Sequence, residues 1–205
     1  MFGWRSTIAE ATEQLDYHLG MAWDTEATRR KLLEAATGQF AALGLAGSRV
    51  DAIARAAGVN KERIYQYFGD KAGLFGAVLA AEVERLLNGI VIVGEGADAL
   101  GRLAGDLHDR AAQDPQLARL LAWEGLELDD PVSAEARASG CASMVGQLTR
   151  ALPGRDREYS AELLLSLVAI TTADGCLPHL ARLISPASTR ESRRAAIVAQ
   201  ARALA

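Results

Sequence analysis

The 205-residue sequence is poor in aromatic residues, which make up 5% of it, and it contains two cysteines, Cys141 and Cys176. Two isolated cysteines cannot support a disulfide-rich scaffold and are typical of proteins in a reducing compartment. No apolar run approaches the roughly 20 residues that a membrane-spanning helix needs. The first residues also lack the basic segment and long apolar stretch of a secretory signal. We therefore expect a cytoplasmic protein that does not cross a membrane.

The patterns of common catalytic and metal sites are missing as well. The three histidines, His18, His108 and His179, lie far apart and have no metal-ligand spacing with either cysteine. We find no nucleophile elbow, no phosphate-binding glycine loop and no pair of metal-binding histidines on one helix. The scattered carboxylates of the second half are explained more simply as solvated helix faces than as an acid–base pair. The sequence therefore predicts no catalytic residues, no metal and no cofactor.

Composition favours a helical protein with an uneven charge. Half of the residues are hydrophobic, and the abundance of alanine, leucine, glutamate and arginine favours helix over strand. The formal net charge is −4. Residues 25–87 nevertheless hold nine lysines and arginines against seven acidic residues, whereas the rest of the chain holds thirteen against nineteen. A mildly basic segment in an acidic chain indicates a local anionic partner.

Apolar residues at helical spacing, with glycine and proline at the boundaries, predict helices throughout. The predicted ranges are about 25–43, 48–57, 60–68, 70–87, 97–112, a helix from 114, 130–152, 158–184 and 188–204. The apolar segment 89–96 has no partner strand, so we interpret it as a connection. Ser48 and Asp51 match a capping box at the start of the second helix, and Asn60 and Asp70 are predicted N-caps of the next two.

Two short helices joined by Gly58-Val59-Asn60 have the form of a helix-turn-helix. Ile64 and Phe68 are four residues apart and are predicted to face inward. The outward positions of the third helix are Lys61, Glu62, Arg63, Gln66 and Tyr67, with Tyr65 at the edge. Arginine and lysine pair with guanine and glutamine pairs with adenine, whereas tyrosine hydroxyls and a lysine suit phosphate oxygens. For Tyr65, half-buried packing is an equally good explanation.

A larger set of residues has the order and spacing of a known family. These residues are Leu33, Ala36, Phe40, Gly44, Ile53-Ala54, Ala57-Gly58-Val59, Ile64-Tyr65, Tyr67-Phe68, Lys71 and Leu74. In them the chain resembles the DNA-binding domain of TetR-family transcriptional regulators. The resemblance implies an all-α fold, with an N-terminal three-helix helix-turn-helix DNA-binding domain and a C-terminal helical ligand-binding and dimerisation domain. We assign residues 1–24 to an N-terminal extension, 25–87 to the DNA-binding domain with its helix-turn-helix at about 49–68, and 88–205 to the second domain.

The resemblance also implies roles for individual residues. The base-reading positions of the family fall on Lys61, Glu62, Arg63, Tyr65, Gln66 and Tyr67. The positions that clamp the DNA backbone fall on Ser48, Arg49 and Lys71. Glu62 departs from the family pattern, which usually has glycine, alanine or proline there, and an acid at this position affects which operator sequence is read.

Two further expectations concern the second domain. In this family it usually encloses a ligand pocket, and the residues that we expect to line it are His108, Trp123, Met144, Thr171 and Thr172. Each of these is, taken singly, explained more simply as a structural residue. The helices at about 158–184 and 188–205 are apolar and alanine-rich, with a kink expected at Pro178. We expect them to form a homodimer interface.

The sequence thus predicts a homodimeric DNA-binding transcriptional regulator. We expect a repressor that a small, largely apolar ligand releases from a palindromic operator in double-stranded DNA. One alternative is a ligand-independent regulator or an activator. Another is a helical protein-interaction module whose helix-turn-helix contacts protein, and a small helical enzyme is a third.

Overall fold

The described part of the chain is built from helices. The computed structural model describes the backbone of residues 4–205 and the side chains of residues 25–205. Within this range there is no strand. The helices are α1 Trp4–Gly47, α2 Val50–Ala57, α3 Glu62–Phe68, α4 Lys71–Leu87, α5 Gly96–Gln113, α6 Gln116–Glu127, α7 Ala134–Ala151, α8 Arg157–Cys176, α9 Pro178–Ile184 and α10 Arg190–Arg202. The predicted all-α fold is confirmed, and a connection joins α4 to α5 as expected.

The predicted helix 158–184 is two helices. α8 and α9 meet at Leu177 with a bend of 92°. The break is sharper than the predicted kink because Pro178 begins α9, where its missing N–H group needs no helical partner. Within the described residues, no single helix has the length and apolar character to span a membrane, and α8 with α9 has them only as this bent pair.

Two other helix boundaries differ from the predictions. α1 begins at Trp4 instead of at about residue 25. α7 begins at Ala134 instead of Asp130, because Ser133 adopts a left-handed backbone conformation with φ 50°. A helix cannot start until the backbone returns to the right-handed region.

Gly44 ends the straight part of α1. Its backbone angles are φ 71° and ψ −177°, a combination that is almost restricted to glycine. A single helical turn, residues 45–47, follows, and the chain then reverses into α2. Gly58 is the second glycine that the fold requires, because it ends α2 in the left-handed conformation with φ 66°. These two positions form the corners on either side of α2.

One of the three predicted helix caps is confirmed: the Asp70 carboxylate accepts a hydrogen bond from the Gly73 backbone N–H at 2.7 Å. The Asn60 side chain accepts from the Glu62 N–H at 3.4 Å, but the N-cap position of α3 is Lys61, and its side chain makes no capping bond. The capping box at the start of α2 was wrong. Ser48 donates its hydroxyl hydrogen back to the Gly44 carbonyl at 2.7 Å instead, so α2 begins without a side-chain cap.

Buried apolar side chains form two clusters. The first core is formed by the helices α1, α2, α3, α4 and α6. Its members include Leu32, Ala36, Phe40, Ile53, Ile64, Leu74, Phe75, Val78, Leu79, Leu117 and Leu120. The second core joins α5, α7, α8 and α10, and its members include Leu100, Leu103, Leu107, Met144, Leu148, Leu163, Leu167 and Ile197. Because α6 completes the first core, the N-terminal helices pack directly on an element from the second half of the chain.

Candidate DNA-binding and effector sites

The first core fixes α3 against α2 and leaves one polar face of α3 in solvent. Ile53 and Ala54 of α2 and Ile64 of α3 are buried, so the inward face of the short α3 is apolar. Phe40 and Phe75 meet edge to face beneath it, with ring centroids 5.0 Å apart. The orientation of α3 is therefore set by packing, and its outer face is free for another molecule.

Most of the predicted base-reading residues lie on this exposed face. Lys61, Glu62, Arg63, Tyr65 and Gln66 are all exposed. Tyr65 is 50% exposed, so part of it is accessible to another molecule. Arg63 donates a long hydrogen bond to Gln66 at 3.4 Å. Such an exposed pair exchanges readily for contacts to base edges.

Two of the predicted contacts have intramolecular partners. The Lys61 ammonium lies 3.4 Å from the Asp51 carboxylate, an exposed ion pair that binds α3 only weakly to α2. Tyr67 is partly buried against the first core and packs edge to face on Phe68 at 6.2 Å. Part of the Tyr67 side chain is therefore packed within the protein.

The residues predicted to clamp the DNA backbone meet at the corner between α1 and α2. Arg49 is exposed at the N-cap position of α2. Ser48 is 3% exposed and its hydroxyl is bonded within the protein. Lys71 is partly buried, and its ammonium donates to the carbonyls of Ser48 at 3.1 Å and Ala46 at 3.4 Å. Of the three, Arg49 has the exposed side chain that suits a phosphate contact.

Two family models match this chain. The family model described as bacterial regulatory proteins, tetR family, matches residues 32–78. The model described as tetracyclin repressor-like, C-terminal domain, matches residues 99–203. The chain belongs to the TetR family. It is a DNA-binding transcriptional regulator and not an enzyme.

Individual relatives agree with this assignment. The HTH-type transcriptional repressor SCO4008 of Streptomyces coelicolor is 34% identical over 174 residues, which cover 80% of this chain and 86% of the relative. The crystal structure of the regulator SCO4942, also from Streptomyces coelicolor, is 31% identical with a TM-score of 0.68 and covers 86% of this chain and 97% of its own. FadR from Bacillus subtilis, solved in complex with stearoyl-CoA, shares the fold at 16% identity, with a TM-score of 0.63 and coverage of 86% and 98%.

In this TetR-family regulator, the predicted pocket residues lie in different places. Trp123 packs against the first core, and its indole N–H donates to the Ala41 carbonyl at 3.4 Å. Met144 is a buried member of the second core. Thr171 and Thr172 are buried, and each donates its hydroxyl hydrogen to a carbonyl of its own helix at 2.7 Å.

Thr172 is the one residue of the five that lines the cavity at the ends of α4 and α5. This cavity has a volume of about 560 Å³, is partly open to solvent, and is also lined by α6 and α8. Its apolar lining residues are Leu86, Ala111, Leu117 and Ala118, and its ionisable ones are Glu82, Arg85, Asp106, Asp109, Arg110 and Asp114. The sequence analysis missed these ionisable residues because they come from separate helices.

Arg85 pairs with two of the carboxylates of the lining. Its guanidinium forms ion pairs with Glu82, one turn away on α4, and with Asp114, just after α5. The hydrogen bond to Glu82 is the largest of the effects that raise the pKa of Arg85. The ion pairs therefore connect α4 to the start of α6 across the cavity.

His108, the remaining member of the predicted set, is a buried polar group without a partner. It is 3% exposed, and among the described residues neither ring nitrogen has a hydrogen-bond partner. Burial lowers the pKa of His108, and Arg193 and Arg190 act in the same direction. The carboxylates of Asp174 and Asp109 oppose this shift without reversing it. The imidazole is therefore held in its neutral form.

Proposed function

We propose that this regulator is a homodimeric repressor that binds a palindromic operator and is released by a small molecule in the cavity between α4, α5, α6 and α8. The observation that carries the proposal is the exposed polar face of α3, held rigidly by an apolar inner face. The repressor SCO4008, 34% identical, supports the sign of regulation. We place its action in the cytoplasm and keep the domain assignment of residues 25–87 and 88–205.

The reading of DNA follows from the chemistry of α3. The cations Lys61 and Arg63 and the amide of Gln66 lie together on one face, and these side chains recognise guanine and adenine in the major groove. Arg49, at the start of α2, supplies a phosphate contact that fixes the orientation of the DNA-binding domain on the duplex. A short helix of this kind reads only a few base pairs, so a second copy is needed for a specific site.

The second copy is supported by the exposed faces of α8 and α10. Ala161, Leu165 and Ala169 are exposed at four-residue spacing on α8, and Ala195 and Ala199 repeat the spacing on α10. Leu165 is 65% exposed. Small side chains at this spacing let two helices approach closely, and burial of Leu165 by a partner would contribute about 2 kcal/mol.

A pair of matched variants tests this dimer. Leu165→Glu is expected to produce monomers in sedimentation velocity, because a carboxylate cannot be buried without a partner. Leu126→Glu is the control, since Leu126 is 77% exposed on α6 and lies outside the proposed interface. A dimer that survives Leu165→Glu at low protein concentration contradicts the proposed interface.

The lining of the cavity narrows the chemistry of the effector. Its four carboxylates outnumber its two arginines, so the lining favours a ligand that carries a positive charge beside an apolar part. Three of the four carboxylates already have an arginine partner, Arg85 for Glu82 and Asp114 and Arg194 for Asp109. The predicted largely apolar ligand fits the four aliphatic lining residues but offers no partner to the excess negative charge of the lining. We therefore propose an amphipathic organic cation.

Ligand binding would act on DNA through a shift of population. α4 begins with Lys71 at the α1–α2 corner and reaches the cavity at Glu82 and Arg85. A ligand that disturbs the Arg85 ion pairs changes how α4 and α6 pack. It lowers operator affinity only if it binds the altered arrangement more tightly than the DNA-binding one.

The DNA-binding proposal is tested by selecting duplexes from a randomised library with the wild-type protein. Binding to the selected duplex is then measured by fluorescence anisotropy at two salt concentrations. Lys61→Ala/Arg63→Ala is expected to weaken binding and relax the sequence preference, because those side chains contact bases. Arg119→Ala/Arg150→Ala removes the same charge from exposed positions outside residues 25–87. This control variant is expected to keep the wild-type preference for the selected DNA sequence.

The outcomes separate the alternatives. Steep loss of affinity with salt indicates phosphate contacts, and an inverted repeat in the selected duplexes indicates a dimeric reader. If no duplex is enriched, the protein-interaction alternative replaces the proposed function. Panels of organic cations, carboxylates and neutral apolar compounds, titrated into the complex, identify the effector class. Release by the neutral panel and not by the cations contradicts the proposed charge.

A further inference from the structure

Glu127, the last residue of α6, makes a contact that the proposed function does not use. Its Oε2 atom accepts hydrogen bonds from the backbone N–H groups of Leu45 at 2.6 Å and Ala46 at 3.1 Å. The partners are about 80 residues apart in sequence. This carboxylate therefore connects the end of α6 directly to the short turn 45–47 before α2.

The turn needs such a partner because Gly44 breaks the helix. The backbone at Gly44 is not helical, so the N–H groups just after it cannot bond to carbonyls one turn earlier as they would inside a helix. A carboxylate is a strong side-chain acceptor for such groups, since the bonds are charge-assisted. Glu127 acts as an N-cap supplied from a distant helix.

The opposite end of the same turn is bonded to a cation. Lys71, the first residue of α4, donates its ammonium hydrogens to the carbonyls of Ala46 and Ser48. The turn thus has a carboxylate from α6 at its N–H end and an ammonium from α4 at its carbonyl end. We call Glu127, Lys71 and the turn 45–47 the corner clamp.

Close packing fixes the carboxylate within the corner clamp. A Cβ atom built on Gly44 would lie 2.6 Å from Glu127 Oε1 and 2.8 Å from Trp123 Cε3. The side chains of α6 therefore lie directly against the backbone at the end of α1. A shift of α6 by a fraction of an ångström changes the hydrogen bonds to the turn, because no space absorbs it.

We propose that Glu127 is a positioning residue for DNA binding, which holds Arg49 in place through the corner clamp. The proposal rests on the proposed function for the DNA-binding face. α6 contributes Leu117 and Ala118 to the cavity near one end and Glu127 to the corner at the other. One rigid helix of 12 residues thus connects the two sites.

The sign of the charge effect makes the proposal testable. Removing an acidic residue makes a protein less negative, which by itself strengthens binding to DNA. The proposal predicts the opposite for Glu127→Ala, a loss of affinity for the selected duplex of about tenfold, because two charge-assisted hydrogen bonds are lost. Glu127→Gln keeps an acceptor but loses the charge, and we expect about a threefold loss. Glu135→Ala, an exposed acid on α7, is the control and is expected to bind as tightly as the wild type or more tightly.

A double-mutant cycle with Arg49 separates positioning from general destabilisation. If Glu127 acts by holding Arg49, the loss caused by Glu127→Ala is expected to shrink to about twofold or less in an Arg49→Ala background. If Glu127→Ala instead destabilises the whole DNA-binding domain, the loss of DNA affinity is the same factor in the wild-type and the Arg49→Ala backgrounds. Hydrogen exchange followed by mass spectrometry supplies a second readout, because faster exchange is expected in the segment 44–49 and not in α8.

Each outcome bears on the proposal. Non-additive losses with faster exchange at the corner support it. Unchanged or tighter DNA binding by both Glu127 variants overturns it, as does an additive loss in the Arg49→Ala background. If Glu127→Ala does not fold, Glu127→Gln decides alone. Failure of the wild type to select any duplex is a failure of the proposed function, and unchanged exchange in segment 44–49 separately overturns the clamp.

Discussion

Substitution of Gly44 by alanine tests the corner most directly. At φ 71° and ψ −177°, a residue with a side chain is strained by about 1–3 kcal/mol. The added methyl group would also meet Glu127 and Trp123 at 2.6–2.9 Å, and overpacking of this kind costs about 1–3 kcal/mol. Taken together, we expect Gly44→Ala to reduce the free energy of unfolding by about 4 kcal/mol.

The same helix provides a matched control. Gly38 is exposed on α1, and a Cβ atom there would have no neighbour within 4 Å. Glycine in a helix interior is less favourable than alanine by about 0.5–1 kcal/mol. Gly38→Ala is therefore expected to increase the free energy of unfolding by about that amount. The two substitutions are chemically identical, and the structure predicts opposite signs.

The measurement is thermal and urea unfolding followed by far-UV circular dichroism, at one protomer concentration for all variants. For a chain of this size, about 4 kcal/mol corresponds to a melting temperature lower by about 10 °C. Gly38→Ala is expected to melt about 2 °C above the wild type. If Gly44→Ala melts with or above the wild type, the corner is not held as described and the reasoning about Glu127 fails with it.

Three further predictions concern stability. The pKa of His108 is lowered in the folded protein, so the unfolded chain takes up the proton first as pH falls through about 6.5. The free energy of unfolding of the wild type should therefore decrease below that pH. In urea titrations at pH 5 to 8, His108→Leu should make this decrease smaller. Asp70→Ala removes the cap that accepts from Gly73 and should cost about 1 kcal/mol, with Asp70→Ser retaining most of it. Arg137→Met leaves the buried carboxylate of Glu124 without its ion-pair partner at 2.7 Å and should destabilise by about 3 kcal/mol, a loss that shrinks in the double variant with Glu124→Gln.

The buried histidine also has a bearing on the second core. Replacing a polar group that has no partner by an apolar one of similar shape is often neutral or stabilising. His108→Leu is thus expected to be at least as stable as the wild type at neutral pH. A histidine that makes the wild type less stable than His108→Leu would then need a functional reason. Comparing the effector response of His108→Leu with that of the wild type tests for one.

The sequence by itself determined most of the helices and which side chains of α3 are exposed. Apolar residues three and four apart place Ile53 and Ile64 inside, and this periodicity depends only on local helix geometry. Gly58 marks the turn between α2 and α3 because a left-handed residue is needed there. The exposed positions of Lys61 and Arg63 follow from the same local geometry, so they were predictable residue by residue.

Only the tertiary structure decided how the corner and the cavity are built. Ser48 was predicted as a cap and a clamp, but burial directs its hydroxyl to the Gly44 carbonyl. Lys71 is bonded to carbonyls of the corner, and Glu127 reaches the corner from about 80 residues away. The cavity likewise takes its charged residues from α4, from α5 and from Asp114 just after α5, with Arg85 among them. Such contacts depend on how helices cross in space, which no periodicity within one helix encodes.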